Sequence, residues 1–382
     1  MSNALQICVF GCFLDSDLYV RNRVLIDCMA QEGRSIEWVR PTFVRTATNH
    51  HSKIGSVGRL LASLWEQLRC FCSLAAQRKQ LMKADLFFIP YPAYLDRFYL
   101  AILTLGHPRR PLILDSFLCL HDTVVSDRQL VRVGGAVAKL VAWLEGLTLR
   151  AADCVLIDTQ EQRDLLIEQY GLPPQKIVVV PVGIEEKTWL PLPQAPDAQT
   201  FVLLFWGTFI PLHGVATILQ AAALLQDSAP NVRIKLVGDG QTAQTAASQL
   251  KSLKLTNVDW NRQILDTAAL RAEIDGAHCV LGVFGTSAKA GNVIPYKLHQ
   301  AFASNRQVIT RSGSAVDELA KQNSGITTVP AGDAVALASA IVTASENYSG
   351  GDNVDTRSLY EAYFSNTVIK ARLSAVLNTY ND

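Results

Sequence analysis

Three sets of residues in this chain have the types and spacing to do chemistry. Gly11, Gly207, Gly238 and Gly240 each fall just beyond a short apolar run. A glycine at that place lets a ligand approach the main chain closely. Lys297, His213 and Lys289 bring positive charge to a stretch running from Ser287 to Asn292 that is rich in small residues. Successive backbone N–H groups there can form a nest for phosphate. Such a set would hold an anion and stabilise negative charge that develops on a leaving group. Asp115, His121 and Asp122 follow another apolar run and could orient the hydroxyls of a second ligand. Each has a plainer alternative: Lys297 as a solvated helix charge, His213 as a helix cap, His121 and Asp122 as partners of loop backbone.

Metal chemistry is not expected. Asp15-Ser16-Asp17 precedes a helical run, where Asp17 is an ordinary cap. His50-His51 are adjacent in a polar loop with no further ligands in reach. Cys70 and Cys72 are two apart on a helical stretch and point to different faces. No metal or other cofactor is therefore anticipated.

The elements that must position these residues alternate between short apolar runs and longer amphipathic ones. Strands are expected at 5–10, 36–39, 85–89, 111–114, 154–157 and 177–180, with helices at 17–32, 58–83, 134–151 and 161–170. Residues 183–200 hold three prolines in a short space and lose all periodicity, which marks a linker. The alternation restarts with strands at 201–206, 232–237, 258–260, 279–283 and 307–310. Helices are expected at 215–226, 242–253, 267–274, 296–303 and 334–345, and a last helical run covers 357–380. This order predicts an α/β protein of two Rossmann-like domains facing a cleft. The expected division is an N-terminal domain at 1–182, the linker, a C-terminal domain at 201–356, and a C-terminal helix packing back on the first domain.

A length of 382 residues fits two cores, and 49% hydrophobic with 18% charged residues reads as globular. The net charge of +1 gives no sign of a nucleic-acid partner. Charge is uneven: residues 1–110 carry 14 Lys and Arg against 8 Asp and Glu, a net of +6. That half points to an anionic partner, such as phospholipid or a phosphorylated acceptor. The scattered cysteines suggest a reducing compartment. MSNALQICVF has no secretory signal, and no apolar run reaches membrane-spanning length. A cytoplasmic protein is expected. Residues 54–83 mix Trp65, Phe71 and leucines with Arg59, Arg69, Arg78, Lys79 and Lys83, which suits first a helix packed on the sheet with a basic outer face and also a helix lying on a membrane surface.

Three segments resemble the GT-B family 4 glycosyltransferases. AADCVLIDTQEQRDLLIEQYGLPPQKIVVVPVGIEEKTWLP, residues 151–191, resembles the end of that family's first domain. LLFWGTFIPLHGVATILQAAALL, residues 203–225, resembles the opening strand and glycine loop of its donor domain. LGVFGTSAKAGNVIPYKLHQAFASNRQVITRSGSAVDEL, residues 281–319, resembles its donor-binding loop and helix. A narrower subgroup is flagged by Ile210-Pro211-Leu212-His213-Gly214 and Val293-Ile294-Pro295-Tyr296-Lys297. The resemblance implies a retaining, metal-independent hexosyl transfer from a nucleotide-diphosphate sugar to a glycan or lipid-linked acceptor.

It also implies roles. Lys297, His213, His121 and Asp122 would act at the reacting centre. The donor would lie against Gly11, Gly207, Thr208, Gly238 and Gly240. Backbone near Gln263 and Ile264 would meet the base, while Ser287, Lys289, Asn292, Val293 and Ile294 would follow the diphosphate and sugar. Gln300 would accept from the ribose, and Asp115 would face the acceptor. The sequence departs from the family at four usually charged places, held here by Thr208, His213, Asn292 and Gln300. Two further readings keep the fold: a catalytically degenerate protein that binds a ligand or partner, and a nucleotide-sugar 2-epimerase.

Overall fold

Runs such as Cys154–Ile157 and Phe201–Trp206 are apolar on both faces, which suits strands covered on both sides. The computed structural model describes residues 5–13, 20–30, 34–41, 56–93, 96–117, 119–122, 132–191, 199–348 and 355–380. For residues 56–64, 122, 288 and 289 it describes the backbone alone.

Among the described residues twelve strands form two sheets, and every pairing is parallel. The first holds β1 (Gln6–Phe10), β2 (Ser35–Val39), β3 (Leu86–Ile89), β4 (Leu112–Asp115), β5 (Cys154–Ile157) and β6 (Ile177–Val179), in the order β2-β1-β3-β4-β5-β6. The second holds β7 (Phe201–Trp206), β8 (Val232–Val237), β9 (Val258–Asn261), β10 (Cys279–Leu281), β11 (Gln307–Arg311) and β12 (Ile326–Val329), in the order β12-β11-β10-β7-β8-β9. Two Rossmann-like domains of the expected class result. The chain reverses direction across the sheet at β1/β3 and at β7/β10. Ligands of open α/β sheets bind beyond the carboxyl ends of the strands at such points.

Each sheet is packed on both faces. Ile7, Val9, Phe88, Ile113 and Leu156 centre the first core. The second sheet has one core around Phe205, Ile218 and Leu236 and another around Leu204, Val280 and Phe302. Ile184 and Trp189, from the proline-rich stretch, are buried in this last core, while residues 192–198 lie outside the described residues.

Several elements depart from their sequence signals. The helix expected at 58–83 runs as Ser56–Ala76 and Arg78–Leu81; between them the Gln77 amide donates to Arg40 O and Ser73 O. The last helical run also breaks, into Thr356–Tyr363 and Asn366–Asn378, because Phe364 turns into the core and Ser365 caps the second helix. The helices Asp96–Leu103 and Ser314–Gln322, both amphipathic, and β12, a four-residue edge strand containing two threonines, are elements beyond those expected.

The helix Asn366–Asn378 belongs to the core of the first domain, where Ile369, Leu373 and Leu377 are fully buried. Leu373→Ala is expected to cost about 2–5 kcal/mol, as truncation of a buried leucine does. The midpoint of urea unfolding reads that loss.

Candidate active site

The carboxyl edge of the second sheet carries the most unusual charge in the chain. Lys297 lies in the first turn of the helix Tyr296–Ala303 and is 6% exposed. Its Nζ donates to Gly282 O at 3.4 Å and stands 3.6 Å from the centroid of the Phe205 ring. Among the described residues no carboxylate pairs with it. Burial therefore pushes its pKa well below the ordinary lysine value. Gly207 ends β7 and Gly282 ends β10, so the ammonium sits over the β7/β10 reversal.

The backbone around it is open to close approach. Gly207 has φ +145°, and a Cβ there would fall 2.9 Å from His213 Cε1 and 3.6 Å from Lys297 Nζ. Gly238 has φ +119°, and a Cβ would meet Gly207 O at 2.1 Å. Only glycine fits either place. The loop after β7 is tied down at both ends. Phe209 N donates to Asp239 O at 3.0 Å, and Phe284 N and Gly285 N donate to His213 O and Leu212 O at 3.1 Å each. His213 stands edge-on to Phe205, with ring centroids 5.5 Å apart. Lys297, His213 and Gly207 thus converge.

The remaining donor-side positions spread around this point. Ser287 caps the short helix Ala288–Asn292, and Val293 beyond it is buried. Ile294 packs on the core beneath. Gln300 is buried, and its Oε1 accepts from Trp206 Nε1 at 3.3 Å, which occupies the oxygen expected to accept from a ribose. Thr208, Gly240 and Gln263 are exposed along the rim, and Ile264 is 84% exposed beyond β9. Gln263 N donates to Asn261 Oδ1. The side chain of Lys289 lies outside the described residues. Arg311, not singled out by the sequence, donates from Nη1 to Gly285 O and Ser287 O at 2.8 Å each and holds this loop in place.

The first sheet faces the same cleft. Thr159, just after β5, donates from Oγ1 to Asn292 O at 2.8 Å, joining the carboxyl edge of one domain to the donor-side loop of the other. Gly11 lies at the β1/β3 reversal, with φ +127° and the Asp96 carboxylate packed against its Cα. Asp115 is spoken for differently from the expectation. Arg21 forks onto both its oxygens at 2.9–3.1 Å, so they hold a guanidinium and not an acceptor hydroxyl. The same guanidinium donates to Val180 O and Pro181 O at 2.9 and 2.8 Å. His121 is carried on the short helix Leu120–Asp122, which buried Glu145 grips. Glu145 accepts from Leu120 N at 2.6 Å, His121 N at 3.0 Å and Tyr170 Oη at 2.6 Å. The Asp122 side chain lies outside the described residues, as do Asp15, Asp17, His50 and His51. Among the described residues no three His, Cys, Asp or Glu side chains come together as a metal group would require.

A buried ammonium without a counter-ion opposes folding. The unfolded chain binds that proton more readily, so the penalty is full below the lowered pKa and vanishes as pH nears the usual lysine value. Lys297→Met is therefore expected to raise Tm at pH 7 by at least about 2 °C, with the gain shrinking towards pH 10. Differential scanning calorimetry at the two pH values measures it.

Known proteins share this plan. Residues 17–183 match the glycosyl transferase 4-like domain and residues 200–347 match the glycosyl transferases group 1. An alignment 153 positions long, covering 36% of this chain, is 28% identical to alpha-maltose-1-phosphate synthase of Mycolicibacterium smegmatis and spans 39% of that relative's length. The sucrose-phosphate synthase of Thermosynechococcus elongatus has the same fold, with a TM-score of 0.73 and 17% identity over 98% of this chain and 99% of that one. HepE of Anabaena, solved with UDP and glucose, gives a TM-score of 0.67 and 16% identity over 98% and 99% of the two chains. Two domain matches in this order, on a fold shared from end to end, place the chain among the GT-B glycosyltransferases, a glycosyl transferase 4-like domain followed by a group 1 domain.

Proposed function

We propose that the protein is a retaining, metal-independent glycosyltransferase that moves a hexosyl group from a nucleotide-diphosphate sugar to a glycan or lipid-linked acceptor. The observation that carries this reading is the Lys297 ammonium, buried without a carboxylate over the β7/β10 reversal. A diphosphate is the counter-ion that such a site lacks. Breaking the sugar–phosphate bond concentrates negative charge on the departing diphosphate, and a fixed ammonium in a water-poor site stabilises that charge. His213 and the backbone N–H groups between Ser287 and Asn292 stand where they would add to it. His121, held by Glu145, would orient the acceptor from the opposite wall. Arg21 and Asp115 keep that wall rigid.

Neither alternative reading has an observation of comparable weight. A 2-epimerase calls for acidic groups at the donor loop, and its two usual glutamate positions are Asn292 and Gln300. For the acceptor side, we place the protein at the cytoplasmic face of a membrane. Trp65 and Leu68 on the helix Ser56–Ala76 are exposed beside Arg69. No helix of the described residues is long and apolar enough to cross a bilayer.

Calorimetric titration with UDP, GDP, ADP and CMP tests the donor site, with UDP first because HepE was solved with it. One diphosphate should bind tightly and take up a proton, since its charge restores the lysine pKa that burial lowers. The uptake, read from buffers of different ionisation enthalpy, should appear above the lowered pKa and be lost in Lys297→Met. Failure of all four nucleotides would move the balance to the degenerate reading. With the matching donor and a sugar acceptor, Lys297→Ala should lower turnover by about 10²–10³-fold. Normal turnover in that variant would remove Lys297 from the reacting centre.

A further inference from the structure

Away from the cleft, the first domain contains a second feature suited to an anion. A cavity of about 300 Å³ lies over Phe87 and Leu112, near the amino ends of β3 and β4. The acceptor wall lies beyond the opposite ends of the same strands, and the donor wall belongs to the second sheet. The volume is at the lower end of small-molecule sites, which run from ~300 to ~1,000 Å³. Its floor is apolar, with Leu81, Met82 and Leu100 beneath it, and Leu105 forms a lip that is 78% exposed.

The wall of this cavity is strongly basic. Arg97, Arg109 and Arg110 all line it. Arg109 Nη2 pairs with Asp153 at 2.6 Å, and that carboxylate also accepts from Leu112 N at 2.9 Å. Neither Arg97 nor Arg110 has a carboxylate within ion-pair distance among the described residues. Arg97 is half-buried, and burial together with the nearby Arg109 charge lowers its pKa. Nothing in the fold requires three guanidinium groups to face one carboxylate around an apolar floor. The excess of about two positive charges equals the charge of a phosphate monoester near neutral pH. Paired guanidinium forks also match phosphate oxygens in shape. The surplus of basic residues in 1–110 gathers in part here.

We propose that this cavity is a binding site, separate from the donor site, for a phosphate ester with a short apolar stem. Its phosphate sits between Arg97 and Arg110, and the stem lies on Leu100 and Leu105. The same chemistry occurs in a soluble phosphate ester and in the head of an anionic lipid. Titration of the full chain with glycerol 3-phosphate, with monomeric dihexanoyl phosphatidic acid, and with phosphatidylcholine vesicles with and without phosphatidic acid separates the two. The wild type should bind at least one phosphate probe. An Arg97→Gln/Arg110→Gln variant should bind it at least tenfold more weakly, with UDP binding and Tm unchanged. Preference for dihexanoyl phosphatidic acid and acidic vesicles assigns the site to lipid, and equal binding of glycerol 3-phosphate assigns it to a soluble ester. The proposal is overturned if the wild type binds none of the probes at millimolar concentration, or if the variant binds as well as the wild type. A variant that also loses UDP binding would overturn the separation of the two sites.

Discussion

A positive charge held out of water, with no carboxylate paired to it among the described residues, is the constraint around which the second domain is built. Lys297 could have been solvated by a slight shift of its helix, yet Leu298, Ala301 and Phe302 fix that helix in the core. Phe205 offers the ammonium the face of a ring, a weak substitute for a carboxylate. The glycines at 207 and 238 leave out side chains that would fill the space beside it. Arg311 donates to the carbonyls of Gly285 and Ser287 and fixes the loop beside that space. The domain gives up stability at one point and keeps an anion site ready-made.

The first domain treats its buried charges in the opposite way. Asp115 and Arg21 satisfy each other, and the guanidinium's other donors go to the chain at Val180 and Pro181. Glu145 shares its oxygens among Tyr170 and two backbone N–H groups. These charges serve geometry: they fix the segments after β4 and β6 that form the wall facing the donor side. The Arg21–Asp115 pair and Glu145 are satisfied within one wall, whereas Lys297 on the other has no carboxylate beside it among the described residues. That asymmetry suits a cleft in which one ligand brings a charge and the other brings hydroxyls.

Much of this was legible in the sequence, and the reasons are physical. Parallel strands buried on both faces appear as continuous apolar runs, so ten of the twelve could be placed within one residue at either end. β10 stops at Leu281, two residues short of its apolar run, because Gly282 and Val283 turn towards β11. β12 was hidden because an edge strand with Thr327 and Thr328 has neither a continuous run nor a clear alternation. At the site, glycines beyond strand ends and a lysine at a helix start were visible from position alone. What Asp115 does was not, since its partner is 94 residues away in the chain. Arg311 and Glu145 act through carbonyls and N–H groups, and no residue pattern records such contacts.

The helix Asn366–Asn378 contributes Ile369, Leu373 and Leu377 to the core of a domain whose strands end at Val179. During synthesis the ribosome releases β1 to β6 long before that helix. The first domain therefore waits with an uncovered apolar face while the whole second domain is made. An N-terminal domain that folds as it emerges would do so without this helix over its core. The last part of the first core to be translated is thus made after every strand of the second domain.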